Sequence, residues 1–256
     1  MYPILLQIGN FKIHTYGILV AFAFLVGIFL AAKEAKRTGE DPEKILDITF
    51  YLILGAIIGS RILYIILHYP YFLENPLEMI KIWKGGLVFY GGFLLALSVV
   101  IWYIRKNQLN FWKILDILAP SIAIGQGIGR LGCFFAGCCF GKETTLPWAV
   151  TFSHHESLAR LGVPLHPVQL YASINAFSIF IILTIAKRYK KFDGFILWLY
   201  VLLYATTRTI LEIFRGDERG LIFYHSITSS QFIAIILGMI SVFMLFYLGT
   251  KHQKRH

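Results

Sequence analysis

The sequence predicts an all-α membrane protein with about seven transmembrane helices. Three observations carry that prediction. Hydrophobic residues fill 57% of the 256 positions, and the mean hydropathy is +0.66. Charged residues fill only 15%, where a soluble domain carries roughly a quarter. Apolar runs long enough to cross about 30 Å of hydrocarbon recur along the whole chain. The 22 Phe, 14 Tyr and 5 Trp suit lipid-facing helices with interfacial belts of rings.

The spans are read near 14–32, 47–67, 87–104, 114–132, 168–186, 194–213 and 228–248. The fourth is interrupted by Asp116, Pro120 and four glycines. Residues 1–256 read as one integral membrane domain, with 133–167 as an outer-side head segment between spans four and five. Seven spans put the two ends on opposite sides. Fourteen basic residues fall on one side: Lys33, Lys36, Arg37 and Lys44; Arg105, Lys106 and Lys113; Lys187, Arg188, Lys190 and Lys191; Lys251, Lys254 and Arg255. Eight fall on the other: Lys12, Lys81, Lys84, Arg130, Lys142, Arg160, Arg215 and Arg219. The richer side marks the cytoplasm, so the N-terminus is expected outside and the C-terminus inside. The first span lacks a basic leader and a small-residue cleavage site, so it is expected to be a span and not a removable signal peptide.

The net charge of +10 would suggest nucleic acid in a soluble protein. Here it is spread over loops beside an anionic leaflet. No run of six basic residues and no single basic helical face exists, so no nucleic-acid partner is expected. The absence of an internal repeat weakens a transporter built from inverted repeats.

Ionisable residues inside spans are costly, about 2.5–3.5 kcal/mol for Arg at a helix centre, and therefore mark function by default. Arg61 lies within the second span, where snorkelling or a structural role competes evenly with a functional one. Tyr204, Arg208 and Glu212 recur at intervals of four and share one helix face, with Arg215 one turn further. An Arg208–Glu212 ion pair that merely makes burial tolerable competes with an anion-site wall. The fourth span closes on Gly125-Gln-Gly-Ile-Gly129-Arg130-Leu-Gly132-Cys133. Its G-x-G-x-x-G spacing lacks the preceding strand that a dinucleotide site needs. A kinked or broken helix presenting Arg130 and backbone N–H groups to a phosphate fits better. Tyr16 and Tyr90 stand beside glycines in the first and third spans. Interfacial anchoring is the commoner use of such tyrosines. His14, His68 and His166 read as interfacial hydrogen-bonding residues. Cys133, Cys138 and Cys139 admit three uses: small packing residues, a disulfide with one thiol left over, or metal ligands with His154, His155 or His166.

The stretch Gly129-Arg-Leu-Gly-Cys-Phe-Phe-Ala-Gly-Cys-Cys-Phe-Gly141 resembles the signature of the bacterial prolipoprotein diacylglyceryl transferases. Further matches follow in order: His14-Thr-Tyr16-Gly17, Gly59-Ser-Arg61-Ile-Leu-Tyr64, Gly85-Gly-Leu-Val-Phe-Tyr90-Gly-Gly92, Asp116-Ile-Leu-Ala-Pro120, His166-Pro-Val-Gln169-Leu-Tyr171, Tyr204-x3-Arg208-x3-Glu212-x2-Arg215, and Ser230-Gln231. The resemblance implies a seven-helix enzyme of the bacterial inner membrane. Such an enzyme moves the diacylglyceryl group of phosphatidylglycerol to the lipobox cysteine of a preprolipoprotein whose signal peptide is still attached, and releases glycerol phosphate. It implies membrane lipids and signal peptides as partners, and no metal or organic cofactor. Arginines that neutralise the departing phosphate would carry catalysis. Arg130 is assigned to the headgroup first and Arg208 second. Glu212 holds Arg208, Tyr16 and Tyr204 line the site, and Arg61 and Arg215 support substrate binding.

The chain departs from the family pattern at three places. Tyr90 stands where many members carry a His proposed as the thiol's base, so that role does not transfer. It could fall to Tyr90 only beside an Arg that lowers its pKa, or else to Glu212 or to direct ionisation of the thiol in a positive field. Cys133, Ala136 and Cys138 replace an Asn-x-x-Asn-Gly-Glu stretch. Ala172 stands where Glu usually follows the His-Pro-x-Gln-Leu-Tyr run. These changes keep two alternatives in view: a related lipid transferase with another acceptor and, less favoured, a small transporter.

Overall fold

The computed structural model describes residues 2–9, 11–82, 85–216, 221–222 and 227–253. Lys84, Arg219, Lys254 and Arg255, four of the basic residues counted above, lie outside them. A short hairpin of β1 (Ile4–Ile8) and β2 (Phe11–His14) leads into α1 (Thr15–Thr38). Then come α2 (Pro42–Leu67), α3 (Tyr69–Glu74), a 3-10 turn (Pro76–Ile80), α4 (Phe89–Lys106) and α5 (Phe111–Ala136). A strand pair, β3 (Val150–Thr151) with β4 (Pro164–Leu165), precedes α6 (Val168–Ala186). The chain closes with α7 (Phe195–Glu212), β5 (Leu221–Ile222), β6 (Ile227–Thr228) and α8 (Ser229–Gln253). Seven of these helices are long and apolar enough to cross a membrane.

The expected fourth span differs in one respect. It is an unbroken helix from Phe111 to Ala136 that runs through Pro120 and all four glycines. Its backbone N–H groups near Arg130 belong to the helix, so no row of free amides is presented there. Cys133 sits on its last turn, inside the helix and not in the head segment.

The chain forms two units. The second, Ala32–Ile114, is built on α2 against α4. α2 starts on Asp41, whose carboxylate accepts the N–H of Glu43 at 2.9 Å, with Pro42 in the first turn. The two helices approach with glycine against glycine. A Cβ on Gly59 would collide with the carbonyl of Gly91, and a Cβ on Gly91 with the carbonyl of Gly59. Such contacts let backbones pack where no water drives helices together.

The first unit is Met1–Ala31 with Leu115–His256. Ala119, Ala123, Ile179, Leu183, Ile196 and Tyr200 form its buried core, contributed by α5, α6 and α7. Asp116 explains how α7 begins. Its carboxylate accepts the N–H groups of Gly194 and Leu197, each at 2.8 Å, and pairs with Lys190 at 2.9 Å. It therefore caps a helix that lies some eighty residues further along, satisfying two of the amides that every helix N-terminus leaves over. Gly194 takes φ +96°, which a side chain would strain.

The segment between α5 and α6 folds on its own small core of Phe152, Ala159 and Leu165, with Phe134 and Phe140 packed against it. It also ties the ends of α5 and α7 together. Lys142 N–H donates to Phe214 at 2.9 Å, and Gly216 N–H to Phe140 at 3.1 Å. A Cβ at Gly216 would fall 2.5 Å from the Gly141 carbonyl oxygen, so this crossing requires glycine. Lys12 on β2 pairs with Glu156, joining the hairpin to the same segment.

Candidate active site

At that tied end, α5, α6 and α7 line a small cavity. Gln126 and Arg130 reach it from α5, Ala172 and Asn175 from α6, and Tyr204 and Arg208 from α7. Two cationic side chains from different helices thus face one space in a segment where charge is costly.

Helical spacing explains each placement. Gln126 and Arg130 are one turn apart, as are Tyr204 and Arg208, so each pair shares a face. Glu212, one further turn along α7, is buried and contacts both of its basic neighbours. Arg208 lies 2.7 Å from Glu212 Oε2, and Arg215 Nε lies 3.9 Å from the same atom. Thr228 donates its hydroxyl to Glu212 Oε1 at 3.2 Å, and Arg208 donates to Ser230 Oγ at 3.3 Å. The beginning of α8 therefore closes behind the pair. Arg215 is itself buried, at 6% exposure.

Among the described residues, Glu212 is shared by Arg208 and Arg215, and Arg130 lines the same cavity as Arg208, which makes the region electropositive. It can hold an anion, and it has the flat, forked donors that suit phosphate. The cavity wall also includes residues that periodicity alone did not single out. Asn175 donates to Thr207 Oγ1 at 2.9 Å, and Tyr200 donates to Gln126 Oε1 at 3.1 Å. An amide in the middle of an apolar span was the available signal for Asn175.

Other predicted residues fall elsewhere. Tyr16 packs against Gly132, 3.2 Å from the place a Cβ would take, beside the cysteines and not in the cavity wall. Arg61 belongs to the second unit, and its donors are directed at backbone. Its guanidinium donates to the carbonyls of Met79 (2.9 Å), Gly85 (2.8 Å), Gly86 (3.2 Å) and Glu78, and lies over the rings of Tyr64 and Phe72. These bonds tie Arg61 to the described residues of the 78–86 stretch, the structural role that competes evenly with a functional one in the sequence. Tyr90, in the same unit, is 59% exposed at the start of α4, edge-on to Phe89. His166 faces the Tyr171 hydroxyl at 3.4 Å, and His68 the Tyr64 carbonyl at 3.0 Å.

The three cysteines converge. Their Sγ atoms all lie within 4.8 Å of one another, none of them bonded to another, and no histidine among the described residues joins them. Thiols this close share charge unequally. Hydrogen bonds from Cys133 and Cys138, aided by Arg215, hold the Cys139 thiol well below its ordinary range. Hydrogen bonds to Cys133 and Cys139, together with burial, push the Cys138 thiol up.

The model of the prolipoprotein diacylglyceryl transferase family matches residues 3–247. A phosphatidylglycerol–prolipoprotein diacylglyceryl transferase from Clostridium tetani is 36% identical over 95% of this chain and 96% of its own. A protein of the same name from Finegoldia magna is 36% identical over 93% and 92%, and one from Sodalis glossinidius 30% identical over 99% and 95%. With seven apolar helices, this fits a multi-pass protein of the bacterial inner membrane. A match that runs almost from end to end, over a chain carrying an arginine-lined cavity, shows that this protein belongs to the prolipoprotein diacylglyceryl transferase family.

Proposed function

We propose that this chain transfers the diacylglyceryl group of phosphatidylglycerol to the lipobox cysteine of a preprolipoprotein, the first step of lipoprotein maturation. The observation that carries the reading is the shared cavity of Arg130 and Arg208. In the reaction, the acceptor sulfur attacks the sp3 glycerol carbon that bears the phosphate. A C–S bond forms, the C–O bond to phosphate breaks, and glycerol phosphate leaves with the electron pair. The thiol's proton goes to a base or to solvent.

What the protein supplies is charge where charge develops. Arg130 takes the headgroup phosphate, and its forked donors follow the oxygens as negative charge grows on the leaving group. Arg208 completes the clamp from the facing helix, held in its rotamer by Glu212. Tyr204 lines the same wall. Glu212 already serves two arginines, which makes it a positioning residue. Arg215 contributes field through that carboxylate, and Tyr16 bounds the cysteine side. The head segment is placed on the outer face, with the N-terminus outside and the C-terminus in the cytoplasm. This follows from the distribution of basic residues.

The test is transfer from phosphatidylglycerol to a lipobox peptide by purified protein, read as a gel shift. Arg130→Lys keeps the charge but loses the fork, and transfer should fall about 100-fold. Rescue of a bacterium depleted of its own transferase should fail in parallel. An Arg130→Lys protein as active as the parent, or no rescue by well-expressed parent, would sink the assignment.

A further inference from the structure

The cluster of Cys133, Cys138 and Cys139 is not used by the transfer chemistry, yet the fold holds it in place from several sides. Cys133 is on the last turn of α5, and Cys138 and Cys139 lie in the turn that follows. That turn is pinned. The buried Gln169 donates to the Cys138 carbonyl at 2.8 Å, Gly141 N–H donates to His166 at 3.1 Å, and Leu158 N–H donates to Ala136 at 3.0 Å. Cys139 is held at φ +57°, a conformation that side chains rarely adopt. The backbone thus spends strain to aim a third sulfur at the other two.

We propose that these three cysteines form a binding site for a single thiophilic d10 cation, of which Zn²⁺ is the representative. The donor set fits: soft sulfur ligands select zinc and copper(I). The span fits as well. Zinc–sulfur bonds of about 2.3 Å put neighbouring sulfurs about 3.8 Å apart in a tetrahedron, and the observed Sγ atoms need only draw together by about 1 Å. Three ligands leave a fourth position for water or another donor, the open arrangement of non-structural zinc sites. Charge also fits. Three thiolates with a divalent ion carry one net negative charge. Arg130 stands one helical turn before Cys133 on α5, and Arg215 bridges to Gly141, two residues after Cys139, so two cations already stand near where that charge would form. A packing role for three small residues would not require the strained Cys139.

The chain has only these three cysteines, so the site can be counted directly. Full-length protein in detergent, reduced and freed of reductant, is titrated with Cd²⁺ as a spectroscopic probe and then with Zn²⁺. A sulfur-to-cadmium charge-transfer band should grow linearly to one ion per chain, and Zn²⁺ should displace it. Outer partners of metal ligands already cost roughly 10–100-fold when lost, so Cys139→Ser should weaken binding by about 100-fold or more. A second measurement needs no variant. Maleimide should add three times to the metal-free chain, by intact mass, and Zn²⁺ should protect all three thiols. The proposal is overturned by a cadmium band that survives Cys139→Ser, by half an ion per chain, or by alkylation that zinc does not slow. It is also overturned by a disulfide among these thiols in protein purified without reductant, because that uses up two of the three ligands. Transfer activity is not the readout, so this proposal and the transferase assignment stand or fall separately.

Discussion

The two units of this molecule treat a membrane arginine in opposite ways. In the Ala32–Ile114 unit, Arg61 is answered by backbone: at least four carbonyls and two aromatic rings surround its guanidinium. In the other unit, Arg130 and Arg208 face a cavity, and one carboxylate, Glu212, serves Arg208 and Arg215 together. The first arrangement uses the cation to shape a loop. The second keeps cationic donors turned toward a shared cavity. Arg61 is buried, whereas Arg130 and Arg208 are half-buried against the cavity. What distinguishes them is whether the donors end on fixed carbonyls or on a cavity.

The contrast can be broken most directly at Glu212. Glu212→Gln removes the carboxylate that two arginines share, and stripping one partner from a buried pair should cost about 3 kcal/mol of stability. A lowered thermal midpoint in detergent, with transfer lost at permissive temperature, is the expected result. An unchanged midpoint would mean that the pair is solvated. At Arg61 the effect should be smaller and of a different kind. Arg61→Met leaves buried carbonyls unanswered and should cost about 2 kcal/mol. The KM for phosphatidylglycerol in folded protein should stay at the parent value. A raised KM with an intact midpoint would move Arg61 to the substrate side of the comparison. Asp116→Ala uncaps α7 and should cost about 1 kcal/mol. It should affect turnover only through the placement of Arg208, so kcat should fall more than KM rises. Tyr90→Phe should have the least effect, within about 0.5 kcal/mol as for most exposed substitutions. Full transfer activity would remove the Tyr90 hydroxyl from any proton-transfer role.

Much of this was legible in the sequence because membrane helices are written in simple terms. Length and apolarity located seven spans, and an interval of four aligned Tyr204, Arg208 and Glu212 on one face. The Arg208–Glu212 pair follows from that spacing. What was not legible depends on contacts between distant positions. Asp116 looked like an interruption of its own helix, whereas its carboxylate is the cap of another one. Arg61 could not be assigned because its partners are main-chain carbonyls, which carry no sequence identity. The glycines near Arg130 suggest a kinked or broken helix, whereas the helix runs unbroken from Phe111 to Ala136. Tyr16 is expected from its motif to line the substrate site, and its ring packs against Gly132, next to Cys133 in the chain. The gathering of three sulfurs depends on a positive φ at Cys139 that no residue type announces.

The four-residue spacing of Arg208 and Glu212 has a consequence for how the protein is made. The two charges are partners within a single helix, so they can meet as soon as one turn of α7 has formed. The segment can then be handed to the lipid as a nearly neutral unit, with the cost of its arginine already reduced, before α8 exists to shelter it. Arg130 has no such local partner. It must be threaded into the bilayer about eighty residues earlier than the carboxylate of that pair. During synthesis, therefore, the second half of the site enters the membrane ready-made, while the first half waits for it.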